Sequence, residues 1–344
     1  NVIYKKLGKP VKAYENCKES ETVEELHNIR NNENAIHMES LAVRERILGT
    51  QNPEVPRHVV FRGILFAESE RFDKCIDLWL HALHLKQMND IPVGKDILRF
   101  VQVFSQMIVE EIEIDFAPVL SVLESCVMEL ANNKSKVNNP DSEMESNIMT
   151  TLYILTILTK LLSLKGNRYE MEDKCRAHHL VRRICALQLR LKDGQTLLHL
   201  AVNEDTLVDY SITNHVCKYP CAATAKLLID CGADVNALDS NRNTPLHLII
   251  DYGEPISDFM TINTIIMELI EAGAHMDTVN NRWKTPYDAV TTGVPKTILR
   301  THTKLSLKCM AAKAVKFYDI SYRGNVPRCL ESFIELHGFD LNQC

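Results

Sequence analysis

A four-residue pattern returns three times in the second half of the chain: Thr196-Leu197-Leu198-His199, Thr244-Pro245-Leu246-His247 and Thr285-Pro286-Tyr287-Asp288. Between these copies, Leu227-Leu228-Ile229-x-x-Gly232-Ala233-Asp234-Val235-Asn236 is echoed by Leu269-Ile270-x-x-Gly273-Ala274-His275-Met276-Asp277. Such recurrence leaves few folds open, because one unit cannot bury its own apolar side and must stack on the next. The residue types have mechanical reasons. Thr caps a helix, Pro suits the first helical position, and Gly takes the left-handed conformation that ends a second helix.

Upstream, the 3.6-residue period predicts helices from residue 36 onward. Leu41, Val43, Ile47 and Leu48 make an apolar face ended by Gly49 and Pro53. Further helices are expected over 56–69, 72–88, 97–107, 116–130, 148–164 and 175–191. The Asn-rich stretch 132–146 reads as an exposed loop, and Gly166-Asn167 as a stop signal. Gly63, Phe66, Cys75, Trp79 and Ala82 alternate small and aromatic residues, which lets two antiparallel helices approach closely. That rhythm resembles a tetratricopeptide repeat, and the later Thr-Pro-Leu-His pattern resembles an ankyrin array. The ankyrin threonines are 48 and then 41 residues apart, against a usual period of about 33, so insertions are expected near 205–220 and 253–261.

The expected fold class is all-α. A polar lead-in over 1–35, the frayed remnant of an upstream helical region, precedes tetratricopeptide-like helices over 36–192. Ankyrin repeats with insertions then occupy 193–300, and a terminal helical segment 301–344.

Composition narrows the function. A net charge of −6 and the absence of a basic stripe argue against nucleic acid as partner. The run 148–164 carries Thr150, Thr151, Thr156, Thr159 and Lys160 and is too polar for a membrane span. No leader pattern opens the chain, which reads as a fragment or a processed product. Eleven scattered cysteines fit a reducing cytosolic or nuclear compartment better than a secreted disulfide scaffold.

After residue 293 the ankyrin rhythm stops. Leu307, Met310, Ala311, Ala314, Val315 and Tyr318 recur at three and four, predicting a helix over 303–318 with one apolar face. Ser306-Leu307-x-x-x-Ala311-x-x-x-Val315 resembles the box that binds Elongin C. A second register, Leu305-x-x-x-Cys309, restores that box's usual cysteine but places Lys313 at the next buried position, so the first is preferred. Val326-Pro327-x-x-Leu330-x-x-Phe333-Ile334 resembles a cullin-2 box; Pro327 can open a helix, leaving Leu330 and Phe333 on one exposed face.

Together with the helix 39–49 and the pair 61–85, these segments resemble the Fem-1 family from about residue 36 onward. The resemblance implies a substrate receptor of a cullin-2 RING ubiquitin ligase that recognises carboxy-terminal degrons. It implies Elongin B/C contacts through Leu305, Leu307, Cys309, Met310, Ala311, Ala314 and Val315, and cullin-2 contacts through Val326, Pro327, Leu330, Phe333 and Ile334. The family's larger degron-binding ankyrin array has no counterpart before residue 36, so no degron contacts are assigned. The alternative is a repeat scaffold with no ligase role, in which 303–334 seals the array and buries Leu307 and Phe333.

Chemistry-bearing candidates are few. His215, Cys217 and Cys221 put three possible metal ligands within seven positions, without a standard zinc spacing or a fourth ligand. Cys175, His178 and His179 read as a helix surface. His199 and His247 are expected to bond neighbouring-repeat backbone. With no phosphate-binding glycine loop and no cysteine paired to a base, neither a catalytic residue nor a cofactor is expected.

Overall fold

The computed structural model describes residues 8–136, 142–165, 169–208, 211–251, 259–289 and 307–337. Among them lie sixteen α-helices and no strand, in two compact units, 1–129 and 130–344.

The first unit runs through a 3₁₀ turn (Lys12–Tyr14), α1 (Val23–Ile29), α2 (Glu33–Leu48), α3 (Glu54–Glu68), α4 (Phe72–Met88), α5 (Gly94–Val109) and most of α6 (Phe116–Lys136). At the heart of the α3–α4 hairpin Trp79 lies against Gly63, and its Nε1–H donates to the Val60 carbonyl at 3.1 Å. Trp79 meets Phe100 edge-on, ring centroids 5.6 Å apart. The small-aromatic rhythm therefore marks real close approaches.

The lead-in behaves differently from expectation. Tyr14 is fully buried, its hydroxyl 2.5 Å from Glu45 and its ring edge-on to His81. The Ser20 backbone N–H and hydroxyl both donate to Glu39, and Arg46 pairs with Glu19 at 2.6 Å. Residues 8–35 are docked on α2 and α4 through partners 19 to 67 positions away, which no local pattern announces.

The second unit contains α7 (Ser142–Lys165), α8 (Met171–Ala186), α9 (Leu197–Val202), α10 (Ser211–Val216), α11 (Ala222–Asp230), α12 (Pro245–Ile250), α13 (Phe259–Glu271), α14 (Pro286–Ala289), α15 (Leu307–Phe317) and α16 (Arg328–Leu336). The described parts of the loop expected over 132–146 are helical, 132–136 in α6 and 142–146 in α7. Acidic Glu143 and Glu145 suit the first turn of α7, and Met144 and Asn147 are buried there; burial overrides the polar composition. Helix α8 stops at Ala186 rather than 191, where Gln188 takes a positive φ of 49°. Gly166 and Asn167 lie outside the described residues.

The two units divide within α6, and in the second unit α7 and α8 pack against the ankyrin helices α9 and α11. Thr156 shares hydrogen bonds with Tyr219 and Thr224, and Thr159 lies 3.4 Å from Thr224. Two of the threonines that made the 148–164 run too polar for lipid, Thr156 and Thr159, thus face partners on other elements. Bonds to the preceding turn satisfy the others, Thr150 to Ser146 and Thr151 to Asn147, and Thr156 also bonds back to Leu152.

The ankyrin motifs act as read. Thr196 and Thr244 cap α9 and α12 in reciprocal boxes with His199 and His247. Gly232 and Gly273, at φ of 90° and 92°, end α11 and α13. Asn236 then ties two fingers together, donating to the Gly273 carbonyl and accepting from the His275 N–H. The first insertion holds α10; the second falls largely outside the described residues.

Candidate docking face and the buried cluster beneath it

Helix α15 has two faces. Cys309 and Ala312 point inward at 4% and 3% exposure, whereas Leu307 is 81% exposed and Met310 and Ala311 lie on the open side. Ala314 and Val315 are half-buried at its edges. The split follows the helical period: 309, 312 and 313 share the anchored face, and 307, 310, 311 and 314 the outer one. Leu305, like the rest of the expected first turn over 303–306, lies outside the described residues, and α15 is described from Leu307 onward.

Pro327 opens α16 and is exposed, Val326 is half-buried, and Leu330 is exposed. Cys309 and Ile334 are buried in the chain's own packing, at 4% and 7% exposure. Phe333 is half-buried rather than presented beside Leu330, because it lies against His275 and His337 with Lys308 Nζ 4.0 Å above its ring. The scaffold alternative expected Leu307 to be buried, and it is not.

The inner face rests on the last finger of the array. Thr278 and His337 form an isolated bridge, the Val279 N–H donates to the Leu336 carbonyl, and Arg242 donates to the Glu335 carbonyl. Beneath this seam His275, Asp277, Cys309 and His337 converge, their ligand atoms all within 4.8 Å of one another. His337 Nε2 is 3.3 Å from Asp277 Oδ1, Lys313 Nζ is 3.3 Å from Oδ2, and Cys309 Sγ is 3.5 Å from His275 Nδ1. Burial alone would raise the Asp277 carboxyl, but His337 and Lys313 outweigh it and hold the group below the usual range. Burial, with His337 nearby, lowers His275. The sequence reading missed this constellation, since only His275 and Asp277 are close in the chain and Cys309 and His337 come from far downstream; the one local sign is His275 where the earlier finger has Asp234.

The metal candidate read from spacing does not assemble. His215 is exposed, Cys217 is buried with its thiol toward the Tyr153 carbonyl, and Cys221 accepts from Thr224. Burial pushes the Cys75, Cys185 and Cys217 thiols up to about 12, opposite to what a nucleophile needs. His199 and His247 accept from threonine at Nδ1 and donate from Nε2 to the Asn243 and Lys284 carbonyls. Both rings are committed to joining repeats. No helix among the described residues is long and apolar enough to cross a membrane.

Fold and surface together define a repeat-based protein-interaction scaffold of the all-α class, and an ankyrin-repeat family model matches residues 193–240. Over 343 residues the chain is 32% identical to protein fem-1 homolog A-like of Mus musculus, covering 95% of this chain and 50% of that one. It is 32% identical to fem-1 homolog A of Danio rerio (96% and 53%) and 29% identical to fem-1 homolog C of Homo sapiens (98% and 54%). The chain belongs to the Fem-1 family and spans about half the length of the curated relatives it matches.

Proposed function

We propose that this chain is the carboxy-terminal part of a substrate receptor for a cullin-2 RING ubiquitin ligase. In this reading α15 docks to Elongin B/C and the start of α16 to cullin-2. The carrying observation is Leu307, 81% exposed at the head of a helix whose opposite face is sealed against the ankyrin finger. A leucine so placed, with Ala311 and Ala314 one and two turns later, offers an anchor flanked by small residues that admit another helix. Pro327 and Leu330 extend the apolar surface onto the next helix. Ubiquitin transfer would arise from proximity, with a target held near a charged conjugating enzyme and no catalytic residue from this chain. Protein targets with carboxy-terminal degrons remain the proposed cargo, and no residue described above is assigned to hold them.

Purified chain is expected to capture Elongin B/C and cullin-2 in a pull-down, and the double variant Leu307→Asp, Pro327→Ala to lose that capture. Unchanged capture by the double variant refutes the assignment of both boxes. The half-buried Phe333 and buried Ile334 favour the scaffold reading for the end of α16. Under that reading the wild-type chain captures neither partner.

A further inference from the structure

We propose that His275, Asp277, Cys309 and His337 form a structural zinc site that clamps α15 and the end of α16 to the last ankyrin finger. The donor set is two imidazoles, a carboxylate and a thiol, the borderline-soft mixture that suits Zn²⁺ over Mg²⁺ or Ca²⁺. Bonds of about 2.0–2.3 Å give a tetrahedron with edges of ~3.3–3.8 Å. The His337–Asp277 and Cys309–His275 separations of 3.3 and 3.5 Å already have that length. No other pair of donor atoms exceeds 4.8 Å, so a side-chain adjustment of about 1 Å completes the shell.

The surroundings favour an ion. Asp277 and His337 are 3% and 0% exposed, and neither carboxylate oxygen of Asp277 nor His337 Nε2 has an aligned hydrogen-bond partner. Polar atoms this deep that are met only by ion-pair contacts of 3.3 Å, without aligned hydrogen bonds, are costly. His337 Nδ1–H donates to the Phe333 carbonyl at 2.7 Å, which in the neutral ring leaves the Nε2 lone pair directed at Asp277. That second bond is the usual orienting contact of a metal-bound histidine. Lys313 sits on the other carboxylate oxygen and Lys308 over Phe333, so two cations border the site without entering the donor set. Three of the four residues are buried and His275 is half-buried, which fits a closed structural site with one route of entry. Binding replaces the Cys309 thiol proton by the metal, releasing H⁺ and forming Zn–S.

The rival is a metal-free ion pair of Asp277 with protonated His337 and Lys313. The whole chain, equilibrated with zinc and then desalted through a weak chelator, decides between them by elemental analysis. Zinc is expected at one equivalent per chain. Cys309→Ser and His275→Gln should each weaken retention at least about tenfold, while Cys221→Ser leaves it unchanged. Cobalt added to metal-free wild-type chain should give a thiolate-to-metal absorption band that is absent from Cys309→Ser. The cobalt band decides on wild-type protein alone if a variant does not fold. Wild-type chain with native circular dichroism that retains no stoichiometric zinc and shows no such band overturns the proposal, as does unaltered retention by folded Cys309→Ser.

Discussion

Replacing Gly63 by alanine should destabilise the first unit by about 3 kcal/mol, although Gly→Ala inside a helix normally gains up to about 1 kcal/mol. The sign reverses because a Cβ at this position would overlap the Trp79 indole at Nε1 and Cδ1. The ring has no slack. Its N–H is bound to the Val60 carbonyl, its edge lies against Phe100, and Phe100 is itself fully buried. Retreat of the indole would combine overpacking, about 1–3 kcal/mol, with a buried donor left unpaired, about another 1–3. Urea denaturation followed by tryptophan fluorescence measures the effect. A neutral or stabilised Gly63→Ala would mean that the α3–α4 contact is looser than described.

The ankyrin unit should lose about 2 kcal/mol of stability between pH 7 and pH 5 through His247 alone. Burial lowers this imidazole from 6.5 to about 4, and His199 is lowered in the same direction. The unfolded chain takes up a proton as pH falls through 6.5, while the folded ring resists until about pH 4. Stability is therefore fully present above 6.5 and declines across the window down to 4, with ~1.4 kcal/mol for each unit of pKa difference. The cause is the motif itself: with Nδ1 accepting from Thr244 and Nε2 donating to Lys284, a second proton would break the capping box. Chemical denaturation at both pH values should show the loss in wild-type chain and a flatter dependence in His247→Gln. Equal slopes in the two proteins would remove His247 as the source.

What the sequence disclosed was the local chemistry. Thr244 capping its helix, Gly273 ending one and Gly63 admitting an indole each need only a few neighbouring residues, so the repeats and the two faces of α15 were legible. Tyr14 was not, because its burial depends on Glu45 and His81, far along the chain. The packing of α7 on the ankyrin helix α11 was not legible either, because Thr156 and Thr224 reveal their pairing only when folded. The Asn-rich stretch misled for a related reason: Met144 is carried into a core that composition does not see. The buried cluster was hidden most completely. His275, Cys309 and His337 come from a finger and two helices, and the alternative register drew Cys309 toward an external partner when it faces inward.

The outward face of α15 can be tested directly by calorimetric titration of the chain with purified Elongin B/C. One saturable site per chain is predicted, weakened about 30-fold or more by Leu307→Asp, as befits a central apolar anchor worth at least about 2 kcal/mol. Absence of binding by the wild-type chain, or equal affinity for folded Leu307→Asp, would contradict it.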